Sequence, residues 1–89
     1  MISDIKRRAV HRSKILQGQL KGIEKMIEDE EYCMDILTQS LALQKSIRSL
    51  NKLILENHLR THIKDGMSSH PDASIEELLK LYAITDKAS

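Results

Sequence analysis

Aromatic residues are almost absent from this sequence, which has no phenylalanine or tryptophan and only two tyrosines, Tyr32 and Tyr82. A core without large rings must be built from many contacts between aliphatic and methionine side chains. Turn-forming residues are equally scarce, with three glycines and one proline in 89 residues. Because strand-rich sandwiches and barrels need many tight turns, this scarcity argues against them. The sequence therefore predicts an all-α protein, and its length predicts a single small domain, residues 1–89.

Long hydrophobic runs are also missing. No stretch approaches the roughly 18 apolar residues of a membrane-spanning helix, and 30% of the residues are charged. The basic N-terminal segment is not followed by an apolar run, so no secretory signal is predicted. Cys33 is the only cysteine, which excludes an intramolecular disulfide and fits a reducing compartment. We therefore expect a cytoplasmic protein without membrane association.

The charged residues are distributed unevenly along the chain. Residues 1–26 contain seven basic and two acidic residues, a net charge of +5, whereas residues 27–89 contain seven basic and eleven acidic residues, a net charge of −4. This asymmetry favours a first helix that meets a polyanion while the rest of the chain does not. A solvated helix face would have the same composition, so charge alone leaves both interpretations open.

Hydrophobic spacing predicts three helical segments joined by short connections. Gly66 is expected to end the second helix, and a capping box formed by Ser74 and Glu77 is expected to open the third. The predicted ranges of the three helices are residues 3–28, 32–64 and 74–84.

The second predicted helix is apolar on two sides, and both sides must be covered. One stripe consists of Ile36, Leu43, Ile47, Leu50 and Ile54. The other consists of Met34, Leu37, Leu41, Leu55 and Leu59. The first helix can cover only one of them, with a stripe of its own formed by Ala9, Leu16, Leu20, Ile23 and Ile27. Because the third helix is predicted to be short, we expect a second subunit to cover the other stripe, with folding back of the third helix as the alternative.

Three side chains form a candidate metal site. His58 and His62 are four residues apart, so their imidazoles project from one helix face about a turn apart. Such a pair can bind a metal but also occurs by chance, and Leu59 stands where a zinc protease has its catalytic glutamate. Cys33, the only thiolate, lies 25 positions before His58, or roughly 37 Å along a continuous helix. The site therefore requires a dimer, in which antiparallel pairing places Cys33 of one subunit opposite both histidines of the other. The alternative is a buried structural cysteine and two surface histidines.

Four short motifs carry a resemblance to a known family. They are Gln17-Gly18-Gln19, Tyr32-Cys33, Leu37-Thr38-Gln39 and Asn57-His58-Leu59. Together they resemble the CsoR/RcnR family of bacterial metal-sensing repressors along about residues 9–82. The resemblance implies a three-helix protomer that forms an antiparallel dimer and then a dimer-of-dimers tetramer. It also implies that the metal-free protein binds operator DNA and that metal releases it.

The resemblance also implies roles for individual residues at the metal site. Cys33 and His58 match the first two metal ligands of the family. His62 stands where copper sensors commonly have a second cysteine. Tyr32 and Glu77 match residues that hydrogen-bond the ligating histidine, although Glu77 could instead complete the cap with Ser74.

Cu(I) is the expected inducer, with Ni(II), Co(II) or Zn(II) as alternatives, because an added imidazole makes these ions more competitive. Nickel and cobalt members of the family use a further histidine at the extreme N-terminus, where this chain has Met1, Ile2 and Ser3.

Candidate DNA contacts are expected on the basic helical face and mainly with phosphates. They are Arg12, Lys14, Lys21, Arg48 and Lys52. A metal chaperone or buffer that does not bind DNA is the competing function, but a buffer needs no polybasic face. An enzyme is not expected, because the sequence shows no nucleophile with an adjacent base and no phosphate-binding loop.

Overall fold

The computed structural model describes residues 1–88 of the chain and the side chains of residues 1–85. Its elements are α1 (Ser3–Glu28), α2 (Cys33–His58), a π-helical segment (Leu59–Ile63), α3 (Lys64–Ser69) and α4 (Pro71–Ala88). The π-helical segment joins α2 to α3 without a break, so the chain forms three helical runs, and residues 1–88 contain no strand. The prediction of an all-α protein with three helices is therefore confirmed. None of the helices within residues 1–88 is both long and apolar enough to cross a membrane.

Contacts divide the chain into two units, residues 1–55 and the residues from Glu56 onward. In the first unit, Ile5 and Ala9 of α1 pack against Leu53 of α2, with Ile2 and Leu50 beside them. All of these side chains are aliphatic, as expected for a chain with almost no aromatic residues.

The exposure of the apolar stripes differs in part from the sequence prediction. Ile23 of α1 is buried, whereas Leu20 and Ile27 are 57% and 58% exposed, so a single chain buries only part of the predicted stripe. On α2, the predicted stripe that includes Met34, Leu37 and Leu41 is also open to solvent. A single chain therefore leaves apolar surface uncovered on both long helices.

α1 ends in a Schellman motif, in which two backbone N–H groups return to the last helical carbonyls. Glu31 N–H donates to the Met26 carbonyl, and Glu30 N–H donates to the Ile27 carbonyl, each with an N···O distance of 3.0 Å. Glu30 has a φ of 50°, the left-handed conformation that such a turn requires. The acidic residues 28–31 thus form one of the short connections that the sequence predicts.

The helix boundaries after residue 58 differ from the prediction. Gly66 lies inside α3, which continues to Ser69, and α4 already begins at Pro71. Proline suits the first position of a helix because its missing N–H needs no acceptor there. Ser74 lies within α4 and is only 5% exposed, so it does not cap the helix and the predicted capping box is wrong. Ser74 instead packs against Gly66 of α3.

Candidate metal centre

His58 and Glu77 form the central contact of the second unit. The two residues are 19 positions apart, and their Nε2 and Oε1 atoms are separated by 2.7 Å. A carboxylate can only accept a hydrogen bond, so Nε2 of His58 donates it. The side chains are 32% and 40% exposed, which keeps the pair in partial contact with solvent. The contact fixes the orientation of the imidazole ring at the C-terminal end of α2.

His62 lies beside His58, on the π-helical segment that follows α2. The two ring centroids are 5.2 Å apart and the ring planes differ by 19°, so the imidazoles are stacked. The segment is widened by one residue, with Lys64 N–H donating to the Leu59 carbonyl five residues earlier. π-Helical bulges are frequent at functional sites. The sequence predicted the common face of the two histidines but contained no signal for the π-helical geometry.

An open cleft of about 450 Å³ borders His62 and Glu77. His62 and Glu77 line it together with Asp65 and His70, two polar residues that sequence reasoning did not assign to the site. His70 joins α3 to α4, and its Nδ1 lies 3.1 Å from the hydroxyl oxygen of Ser69. Asp65 follows His62 by three residues on the same helical run, a spacing that could have placed it beside His62, whereas His70 lies after α3 and no helical spacing identifies it.

Cys33 is exposed and is the first residue of α2. Tyr32 precedes it, with a side chain that is 66% exposed. The backbone carbonyl of Tyr32 accepts hydrogen bonds from the N–H groups of Asp35 and Ile36 and so caps the first turn of α2. Within the described part of the chain, no group of three or more His, Cys, Asp or Glu side chains could hold a metal ion.

The basic residues of α1 fall into two groups. Arg7 donates a hydrogen bond to Asp4 over 2.7 Å, and Arg8 lies 3.7 Å from the same carboxylate. The hydrogen bond from Arg7 lowers the pKa of Asp4, and the positive charges of both arginines add to the effect. By contrast, no ion pair within the described residues involves any of the five candidate DNA contacts, Arg12, Lys14, Lys21, Arg48 and Lys52. Four of them are exposed and Arg12 is half-buried.

The chain belongs to the metal-sensitive transcriptional repressor family, whose sequence model matches residues 5–83. The family is one of transcriptional regulators rather than enzymes, and the resemblance seen in the sequence motifs is thereby confirmed.

Individual relatives are similar along most of the chain. The copper-sensing transcriptional repressor CsoR of Mycobacterium tuberculosis H37Rv is 38% identical over 81 residues, which cover 90% of this chain and 68% of that protein. CsoR of Bacillus subtilis 168 is 34% identical over 73 residues, with coverages of 81% and 72%. The crystal structure of CsoR with Cu(I) from Geobacillus thermodenitrificans NG80-2 superposes with a TM-score of 0.80 at 26% identity, covering 98% of this chain and 88% of that one.

Proposed function

We propose that the protein represses transcription in the cytoplasm by binding operator DNA in its metal-free form, and that it releases the DNA when it binds Cu(I). Membership of a family of metal-sensitive repressors supports the class of function. Relatives named as copper-sensing support the choice of metal. The observation that carries the proposal is the hydrogen bond between His58 and Glu77.

This hydrogen bond prepares His58 to bind a metal. Because Nε2 carries the proton that Glu77 accepts, the lone pair of Nδ1 is left for a metal ion. A carboxylate behind a ligating imidazole fixes its tautomer and raises its basicity, an arrangement that recurs at metal sites. The residues present therefore fit a metal, and Glu77 has a specific role there.

The proposed ligand set combines two subunits. Cys33 and His58 are the first and last residues of α2, roughly 37 Å apart at 1.5 Å per residue. In an antiparallel dimer, Cys33 of one subunit would meet His58 and His62 of the other. Two-fold symmetry then produces two identical sites per dimer. Tyr32, next to Cys33 in sequence, would reach the same site from the subunit that provides the thiolate.

Exposed apolar surface supports such an assembly. On α2, Met34, Leu37 and Leu41 are 58%, 51% and 55% exposed, and Leu20 and Ile27 of α1 are similarly open. Clusters of exposed apolar residues mark interaction sites in soluble proteins. We therefore include the antiparallel dimer, and its pairing into a tetramer, in the proposed function.

The donor chemistry favours Cu(I) without excluding other ions. A thiolate is a soft donor that suits Cu(I), whereas two imidazoles make Zn(II), Ni(II) and Co(II) more competitive. A sensor of one of those ions, acting by the same mechanism, is the alternative that His62 favours. Replacing His62 by cysteine should shift the preference toward Cu(I), and competition between Cu(I) and Zn(II) for the variant and wild-type proteins would measure the shift. An unchanged ratio of affinities would show that His62 is not a ligand.

The basic surface provides the proposed contact with operator DNA. Arg7 and Arg8 share Asp4, whereas Arg12, Lys14 and Lys21 have charges that phosphates can neutralise. Arg48 and Lys52 of α2 are exposed and extend the set. A metal buffer would not need this surface, so binding of a DNA duplex by the metal-free protein separates the repressor from a chaperone or buffer.

Mixed dimers test the intersubunit site directly. Subunits carrying Cys33→Ala are combined with subunits carrying His58→Ala, and metal stoichiometry is measured on purified mixed dimers. One site then lacks both ligands while the other is complete, so half of the wild-type capacity should return. Each homodimer should bind weakly at both sites. Mixed dimers that recover no binding would disprove the cross-subunit arrangement.

A further inference from the structure

Gly66 of α3 lies against Ser74 of α4. A Cβ atom added to Gly66 would collide with Oγ of Ser74 and would lie 3.6 Å from its Cβ atom. Ser74 is 5% exposed, so a Cβ atom at position 66 requires either that its hydroxyl rotates or that α4 shifts. The same addition at Gly18 or Gly22 meets no atom within 4 Å. Gly66 is thus the glycine at which a side chain would disturb the packing of helices.

The backbone conformation does not explain the glycine. Gly66 has no positive φ and lies within a regular helix. A larger residue would fit the local helix and would even favour it, because glycine is a poor helix former. The missing side chain is therefore needed for the close approach of Ser74.

The contact between Gly66 and Ser74 is connected to Glu77 through only a few residues of the chain. Glu77 follows Ser74 by three residues, so the two lie about one turn apart on neighbouring parts of α4. His70 alone connects α3 to α4; its N–H donates to the Gly66 carbonyl over 2.6 Å, and its carbonyl accepts from Ser74 N–H over 3.0 Å. The residues at the contact between α3 and α4 therefore also determine where α4, the helix that carries Glu77, begins.

Burial does not hold the pair of His58 and Glu77 together. The two side chains are about one-third or more exposed, and Glu77 also borders the open cleft. A carboxylate that moves away from the imidazole can exchange its hydrogen bond for one to water at little cost. The contact therefore depends on how closely the two backbones are held.

We propose that Gly66 is a positioning residue for the metal centre, acting through Ser74 and α4 to keep the Glu77 carboxylate on Nε2 of His58. The proposal rests on the proposed function in one respect, that His58 is the metal ligand. A side chain at position 66 displaces α4, frees the imidazole and removes the bias toward the tautomer with the proton on Nε2. Gly66 and Ser74 touch no metal themselves in this scheme.

The first test uses the metal-free protein, so that it is independent of metal and DNA. Nitrogen chemical shifts of the His58 ring report its tautomer by NMR. Wild-type protein and Ser74→Ala should have the proton on Nε2, whereas Gly66→Ala should show a mixture of tautomers. The double variant Gly66→Ala/Ser74→Ala should regain the wild-type tautomer, because the added Cβ then meets only another Cβ at an ordinary distance.

The second test measures metal affinity in a double-mutant cycle with Glu77→Ala. Loss of a residue that orients a ligand typically lowers metal affinity about 10- to 100-fold, and Gly66→Ala should do the same. In the Glu77→Ala background, Gly66→Ala should have no further effect, because the group through which it acts is gone. A merely structural defect would instead lower the affinity again. Adding Ser74→Ala to the Gly66→Ala variant should restore the wild-type metal affinity.

Several results would overturn the proposal. They are a wild-type His58 without the Nε2 proton, a Gly66→Ala variant with the wild-type tautomer, or additive losses in the cycle. If Gly66→Ala alone does not fold, the folded double variant decides: the wild-type tautomer supports the proposal, and a mixture contradicts it. Failure of wild-type protein to release a DNA duplex on metal addition would disprove the proposed function, while the tautomer would still decide the role of Gly66.

Discussion

Glu77 accepts a hydrogen bond from Nε2 of His58 across 2.7 Å, although the two residues are 19 positions apart. Helix spacing cannot produce this pair, because each residue lies on a different helix of the second unit. The contact converts a surface histidine into one with a defined tautomer and a free Nδ1.

Glu77→Ala is expected to lower metal affinity about 10- to 100-fold, because the imidazole loses the group that fixes its tautomer. Glu76→Ala is the matched control, since it removes the same charge from an adjacent, exposed position of α4. Competition with a chelator of known affinity measures both variants. Equal losses in the two variants would mean that bulk charge, rather than the hydrogen bond, supports the site.

DNA binding should depend on the unpaired cations of α1. Arg12→Ala and Lys21→Ala are each expected to reduce the slope of log affinity against log salt concentration by about one unit, the signature of one lost phosphate contact. The measurement is a salt titration on a duplex selected from a random library by the wild-type protein. Lys80→Ala on α4 serves as the control, and a comparable change there would show that the basic surface has been misplaced.

Glu30→Gly is expected to stabilise the protein by about 0.5–1 kcal/mol. Glycine relieves the left-handed strain at the end of α1, and part of that gain is offset by the greater entropy of glycine in the unfolded chain. Glu31→Gly provides the comparison, because it removes the same charge one residue later, where no positive φ is present. Urea unfolding at a fixed protomer concentration measures both. Stabilisation by Glu31→Gly of the same size would point to relief of charge repulsion in the acidic run instead.

The carboxyl group of Asp4 should titrate below the ordinary value of 3.8, because Arg7 hydrogen-bonds its charged form. A lowered pKa in the folded state contributes stability above the unfolded value, and this contribution is lost as the pH falls through the folded value. Arg7→Ala should move the titration midpoint of Asp4 upward, as NMR of the carboxyl carbon would show. Lys6→Ala removes a neighbouring charge without this hydrogen bond and should change the midpoint less.

The sequence by itself determined the helical class, the number of helical runs, the basic first helix and the common face of His58 and His62. These features depend on composition and on local periodicity, which short stretches of chain already contain. The 25-residue separation of Cys33 and His58 also predicted that a metal shared by these two residues requires two chains.

Only the tertiary structure shows how Gly66, Ser74 and Glu77 are packed. From the sequence, Gly66 is expected to end a helix, and Glu77 is expected either to complete a capping box with Ser74 or, by the family resemblance, to hydrogen-bond the ligating histidine. Local patterns do not distinguish a helix end from a tight helix crossing. Only the return of α4 against α3 shows that the glycine makes room for the serine and that the glutamate reaches His58. Long-range contacts of this kind depend on the angle and distance between helices, which no local spacing in the chain specifies.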